Sequence, residues 1–270
     1  MHGRAGRRAV RFGAALWCSA CVLASSSAAL ARHRLRPRFE PGDLTLEEPG
    51  TMALDQQLGA IRSQGPWRLI PTDFELGLGL ARNLELSVDG AYAIEGPPDG
   101  PYSFDHAAPD LLWLSAKLGL VDYADDLAKS AWALGLRLGP KFPTAPGARG
   151  FGFEGLAVLQ GKLAGTGVVL NFGGLFDPAA DSDSPRPLGG EGSLGVDQEL
   201  DPNGRYALGV EISGAHFASS DPDQLLLSAS MTYAPTSWFE LSVTDLFGLV
   251  SGSDRYGLLL GVCSRWSVWH

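Results

Sequence analysis

The chain has 270 residues, a formal net charge of −9, 45% hydrophobic residues and 35 glycines. Such a charge offers no basic face to nucleic acid or another polyanion. Beyond the N-terminal 31 residues no stretch reaches the roughly 20 apolar residues of a membrane-spanning helix. Glycine stands near twice its usual share of about 7%, so a helical membrane protein is excluded and a Gly-rich β-protein is favoured.

Arg4, Arg7, Arg8 and Arg11 precede an apolar, small-residue stretch from Phe12 to about Leu30, and Ala29-Leu30-Ala31 fits the small-x-small site of signal peptidase. Residues 1–31 therefore read as a cleaved signal peptide, leaving 239 residues and a net charge near −13. Acylation of Cys21 is the alternative, disfavoured by Cys18 where leucine is usual. Loss of Cys18 and Cys21 with the signal leaves Cys263, so neither an internal disulfide nor a CxxC metal or redox site is expected. Residues 32–51 are charged, Pro-rich and aperiodic, and read as a flexible periplasmic lead segment. The barrel domain is assigned to 52–270.

From there a period of two recurs, placing alternate residues on opposite faces of a strand. Residues 52–62 (Met52, Leu54, Leu58) form the weakest candidate strand. Phe74, Leu76, Leu78 and Leu80 alternate with Glu75, Gly77 and Gly79; Leu84, Leu86, Val88 and Tyr92 alternate with Glu85, Ser87, Asp89 and Ala91. Leu112, Leu114, Leu118 and Leu120 oppose Ser115, Lys117 and Gly119, and Trp132, Leu134, Leu136 and Leu138 oppose Gly135, Arg137 and Gly139. Phe151, Phe153, Ala157 and Leu159 oppose Glu154, Gln160 and Lys162 less regularly, and Val168, Leu170 and Phe172 oppose Asn171 and Gly173. Leu194 and Val196 then oppose Asp197 and Glu199, and Tyr206, Leu208, Val210 and Ile212 oppose Gly209, Glu211 and Ser213. Leu225, Leu227, Met231 and Tyr233 oppose Ser228, Ser230 and Thr232, and Phe239, Leu241 and Val243 oppose Glu240, Ser242 and Thr244. Last, Tyr256, Leu258, Leu260, Val262 and Trp266 oppose Gly257, Gly261 and Arg265.

Connections alternate between short (81–83, 164–165, 201–204, 235–237) and long (95–109, 140–150, 177–190, 216–223), with 121–129 long where a short one belongs. Short periplasmic turns and long external loops are the outer-membrane pattern, as are strands of about 9–11 residues. The predicted fold is all-β: an antiparallel up-and-down transmembrane β-barrel of about 12 strands, with ten as the fallback, in the bacterial outer membrane. Aromatics near strand ends (Phe74, Tyr92, Trp132, Phe151, Tyr206, Tyr233, Phe239, Tyr256, Trp266) suit interfacial girdles.

Alternation by itself leaves the direction of the faces open. In a soluble periplasmic β-protein the Leu/Val/Phe face is the core; in a barrel it meets lipid and the polar face lines the lumen. On the second reading the pore-lining candidates are Glu75, Glu85, Asp89, Lys117, Arg137, Glu154, Lys162, Glu211, Glu240, Arg255 and Arg265. Acids and bases are mixed, so they can pair across the interior, and a 12-stranded barrel falls between a filled eight-stranded one and an open 16-stranded channel.

The stretch Phe74 to Val88 (FELGLGLARNLELSV), with Glu and Gly on the inner face of one strand, a tight turn and then Leu-Glu-Leu, resembles the outer-membrane barrel family named for the meta-pathway of phenol degradation. The match covers about 20 residues and the remainder by layout. The resemblance implies a channel or transporter-like barrel, linked in some members to uptake of hydrophobic compounds, without a catalytic motif. Arg255-x-Gly257-x-x-Leu260-x-Val262 resembles the C-terminal β-signal read by the barrel-insertion machinery, although the chain continues to Trp269-His270.

No cofactor is implied. His216 near Ser213, Ser219, Ser220 and Asp221 is the best hydrolase-like grouping, but its spacing matches no nucleophile motif. His106 with Asp105 and Asp110, Asp181-Ser-Asp183 and Asp221-Pro-Asp223 lack the remaining ligands of a metal loop. The expected function is passive uptake of a small, hydrophobic solute. The alternatives are a non-conducting structural or binding barrel and, behind it, a lipid-modifying hydrolase or a soluble periplasmic protein. Expected partners are outer-membrane lipid, the insertion machinery and a small solute.

Overall fold

The computed structural model describes residues 46–62, 67–95, 107–109, 112–125, 130–144, 148–163, 165–176, 188–218 and 222–269. The signal-peptide reading of 1–31, most of the lead segment, and His106, Asp105, Asp110, Asp181, Asp183, Ser219, Ser220 and Asp221 lie outside them.

Strands run as β1 (Thr51–Arg62), β2 (Trp67–Ala81), β3 (Leu84–Glu95), β4 (Ala107–Pro109), β5 (Leu112–Asp125), β6 (Ser130–Phe142) and β7 (Gly152–Leu163). They continue as β8 (Thr166–Phe176), β9 (Leu188–Glu199), β10 (Tyr206–Phe217), β11 (Gln224–Thr236), β12 (Phe239–Gly248) and β13 (Tyr256–Ser267). Sequence neighbours pair antiparallel, and β1 closes the ring against β13 in unbroken register from Thr51↔Ser267 to Arg62↔Tyr256. The wall is a closed barrel of 12 strands, as expected. Closure leaves no edge and satisfies the backbone polar groups within the sheet, which lipid demands. β4 is an extra three-residue piece: β3 pairs with β5 over Leu84–Asp89 and takes β4 as its partner from Tyr92 to Ile94.

Burial decides which way the faces point. Along β12, Glu240, Ser242 and Thr244 are 2%, 6% and 1% exposed, whereas Leu241 and Val243 are 40% and 44% exposed. The same inversion runs round the wall, with Leu86, Leu170, Val210 and Leu258 outside and Ser87, Asn171, Glu211 and Ser228 inside. A soluble sandwich requires the opposite, so that alternative falls.

Two expectations need correction. Residues 121–129 are not a long connection: β5 continues through Asp125 after a bulge between Gly119 and Val121, and the link narrows to 126–129. The bulge shifts the alternation, which disguised the strand. Secondly, the lead drawn to residue 51 runs too far. Thr51 is already in β1, and Leu46–Gly50 pack on the barrel, with Glu47 buried.

The short turns gather at one end, with both ends of the sheet (Thr51 and Ser267). At the turn between β9 and β10, Asp201 accepts hydrogen bonds from the backbone N–H groups of Tyr206 (2.8 Å) and Asn203 (3.1 Å), and Gly204 takes φ = +61°. The Tyr206 N–H holds the Asp201 carboxyl below its ordinary value, so this turn loses support as the pH falls through that lowered value. Gly204→Ala forces a side chain into the left-handed region and is expected to cost about 1–2 kcal/mol. Urea unfolding in lipid vesicles reads this directly; an unchanged midpoint would show that the turn relaxes freely.

Candidate channel interior

Neighbouring strands bring most of the predicted interior charges together. The register sets Glu75 opposite Asp89, Glu85 opposite Lys117, and Lys117 opposite Arg137, all on the inner face. Lys117 Nζ lies 2.8 Å from Glu75 Oε1 and 3.1 Å from Glu85 Oε1. Arg137 Nη2 lies 2.5 Å from Asp89 Oδ2 and 3.4 Å from Glu75 Oε2. The Arg137 guanidinium also donates to Ser115 and Ser87 and stands 4.1 Å over the Trp113 ring. Gly77 makes the room: a Cβ there would sit 2.9 Å from the Glu85 carboxylate. Charges taken out of water in this way persist because each has an opposite charge and further hydrogen bonds.

The ladder continues towards β13. Glu85 accepts a hydrogen bond from the Glu47 N–H (2.8 Å), Glu47 accepts one from Arg265 Nε (3.1 Å), and Arg265 Nη1 is 3.6 Å from Glu240. Linked acids and bases thus run across β6, β5, β3, β2, β13 and β12. The wall from β8 to β11 carries mainly small neutral groups instead, among them Ser193, Ser213, Ser228, Ser230 and Thr232 beside the buried Glu211, with Asn171 donating to Ser193 at 3.0 Å.

The remaining predicted residues divide. Glu154 is buried and pairs with Lys141 at 2.5 Å towards the loop end, and Glu211 is buried on β10. Lys162 has inward parity but lies one residue from the end of β7; its side chain is 49% exposed and pairs with Glu199 at the turn-end rim. Arg255 is not on the inner wall: it precedes β13, is exposed, and donates its N–H to the Arg62 carbonyl at 2.7 Å. Ser213 and His216 are three residues apart on β10, so Ser213 is buried inside while His216 is exposed and bonded to Asp223 at 2.7 Å. Strand parity therefore separates that hydrolase-like grouping. Among the described residues no group of three or more His, Cys, Asp or Glu is arranged to hold a metal ion.

On one arc of the wall, inward positions near the loop end are apolar. Ile61, Ile70, Leu246 and Leu259 form one buried cluster on β1, β2, β12 and β13, and Leu226 on β11 and Leu175 on β8 are buried separately. These residues escaped the sequence reading because Leu259 sits in a triple leucine run and the others end a polar series. Counting in twos from Glu240 does reach Leu246.

No protein-family model matches the chain, and no curated protein matches it by sequence. Among solved structures it is similar to the COG4313 outer membrane channel from Pseudomonas putida F1, with a TM-score of 0.58 and 14% identity over 85% of this chain and 100% of that one. It is also similar to the KdgM porin, with a TM-score of 0.51 and 10% identity over 79% of this chain and 98% of that one. The fold is that of an outer-membrane β-barrel. Such a barrel places aromatics at the two lipid–water boundaries. At the turn end Tyr206 stacks on Tyr233 (4.8 Å) and Trp238 packs on Phe239 (5.8 Å). At the loop end Phe142 meets Phe151, and Tyr256 meets both Trp67 and Phe247. Phe74 is an exception among the expected girdle residues: it sits mid-strand, opposite Gln56 and Gly90.

Proposed function

We propose that the barrel is a narrow outer-membrane passage for a small solute with an apolar body. The observation that carries this reading is the layered interior. The apolar patch of Ile61, Ile70, Leu246 and Leu259, on the adjacent strands β2, β1, β13 and β12, lies at the loop end, above walls of charge and hydroxyl. With short turns periplasmic and long loops outside, a solute arriving from outside meets the apolar patch first. That order suits a hydrophobic compound leaving water, and agrees with the resemblance of Phe74–Val88 to the phenol meta-pathway barrels. Similarity of fold to a structure described as an outer membrane channel and to a porin supports passage as the activity.

A second reading has its own support. The interior bases are all paired with acids and almost fully buried, as a structural barrel that conducts nothing would require. One measurement separates the two: ion current through the purified protein in a planar bilayer, with a small aromatic alcohol or glucose added on the loop side. The passage reading expects current interrupted by the aromatic solute and not by glucose, with interruptions at least several-fold shorter in Leu259→Ser. Absence of current at every voltage and pH would leave the structural reading.

A further inference from the structure

Leu46–Gly50 precede the first strand and are folded onto the inner wall at the turn end. The Glu47 N–H donates to Glu85 on β3, and the Glu47 carboxylate accepts from Arg265 on β13. Glycines open the track. A Cβ at Gly79 would fall 2.2 and 2.4 Å from the carbonyl oxygens of Glu48 and Glu47, and one at Gly119 would lie 3.2 Å from Leu46 Cδ1. The segment thus spans an arc of wall from β13 to β5. Gly50 closes it, at φ = +82°, with its N–H on the Gly79 carbonyl (2.9 Å) and its own carbonyl taking the Val268 N–H (2.7 Å). A buried carboxylate is costly unless paired, and a lead that only tethered the barrel would not need one.

We propose that Leu46–Gly50 is an acid-tightened stopper of the turn-end mouth, docked through Glu47 and released by swinging about Gly50; this rests on the barrel being a passage. The groups facing Glu47 are Arg265 on β13, Asp55 on β1 and Glu85 on β3, with Cys263 on β13 and Glu240 on β12 beyond Arg265 and Glu75 on β2 and Lys117 on β5 beyond Glu85. Burial outweighs the pull of Arg265, and Glu85 and Asp55 add to it, so docked Glu47 is pushed up from 4.5 to about 7. A released Glu47 stands in water and titrates near its ordinary value. The docked form therefore holds the proton more tightly. Docking is strongest below pH 4.5, weakens as the pH rises to about 7, and levels off above it, a change on the order of 100-fold in the docking equilibrium.

The test uses the full chain in lipid, with a nitroxide on Glu48→Cys, whose side chain is exposed, and the other cysteines replaced by serine. The spin-label line shape and the planar-bilayer current are followed from pH 4.5 to 8. The label should be immobile and the current small at pH 4.5, the label mobile and the current larger at pH 7.5. Glu47→Gln, which keeps a hydrogen bond to Arg265 but cannot titrate, should stay docked throughout. Glu47→Arg, which faces Arg265 with like charge, should be mobile throughout. A heat-dependent gel shift checks that each variant has folded. A current with a label that stays immobile at every pH and in Glu47→Arg makes the segment a fixed brace and overturns the stopper. So does a Glu47→Gln profile that follows the wild type. A label that mobilises with no current at any pH overturns the passage itself, and the stopper's role with it.

Discussion

Lys117→Met destabilises the barrel by about 3–5 kcal/mol, the usual cost of removing one partner from a buried ion pair. Lys117 is the cation shared by Glu75 and Glu85, at 2.8 and 3.1 Å, and the three side chains are no more than 9% exposed. Without it, Glu85 keeps the Glu47 N–H and Glu75 keeps the Arg137 contact at 3.4 Å, but Glu75, Glu85 and Asp89 then face Arg137 alone, one negative charge in excess of the wild type. Adding Glu85→Gln to Lys117→Met removes that excess and is expected to recover at least about a third of the loss. Reversible urea unfolding in lipid vesicles gives both numbers. A loss below about 1 kcal/mol, in the range of an exposed pair, would mean that the interior is wet and that the ladder contributes little to the wall.

Leu194→Arg is the second large effect. Leu194 stands mid-strand on β9 between Leu170 and Ile212, faces outwards and is 45% exposed. In water an exposed Leu→Arg change is nearly neutral, within about 0.5 kcal/mol. At the midplane of a bilayer the same change costs about 2–4 kcal/mol. The same substitution at Trp238, which lies in the turn-end girdle, is expected to cost far less from the charge alone, because the boundary is already wet. Equal costs at the two positions would show that the leucine face does not lie in hydrocarbon.

Of the interior, the charged residues were legible and their contacts were not. Period-two counting placed Glu75, Glu85, Lys117, Arg137 and Glu240 on one face without any knowledge of partners. It misplaced Arg255, because the alternation reads on through the residue before a strand, and it overrated Lys162, because parity carries no information on distance from the rim. Trp113 and the apolar patch were missed since an apolar residue on the polar face looks like noise in the pattern. Glu47 lay in an aperiodic stretch, where nothing distinguishes a buried carboxylate from a solvated one.

Sequence by itself determined that this chain forms strands, about how many, and where most short turns fall, because alternation and turn residues are local properties of a few neighbouring positions. It left open which face is inside, since a sandwich and a barrel impose the same alternation; only closure of β1 onto β13 put the polar face within the ring. Tertiary structure also decided that Glu47 meets Arg265, 218 residues away along the chain. Contacts of that kind depend on the height and register of strands assembled into a ring, which local periodicity does not encode.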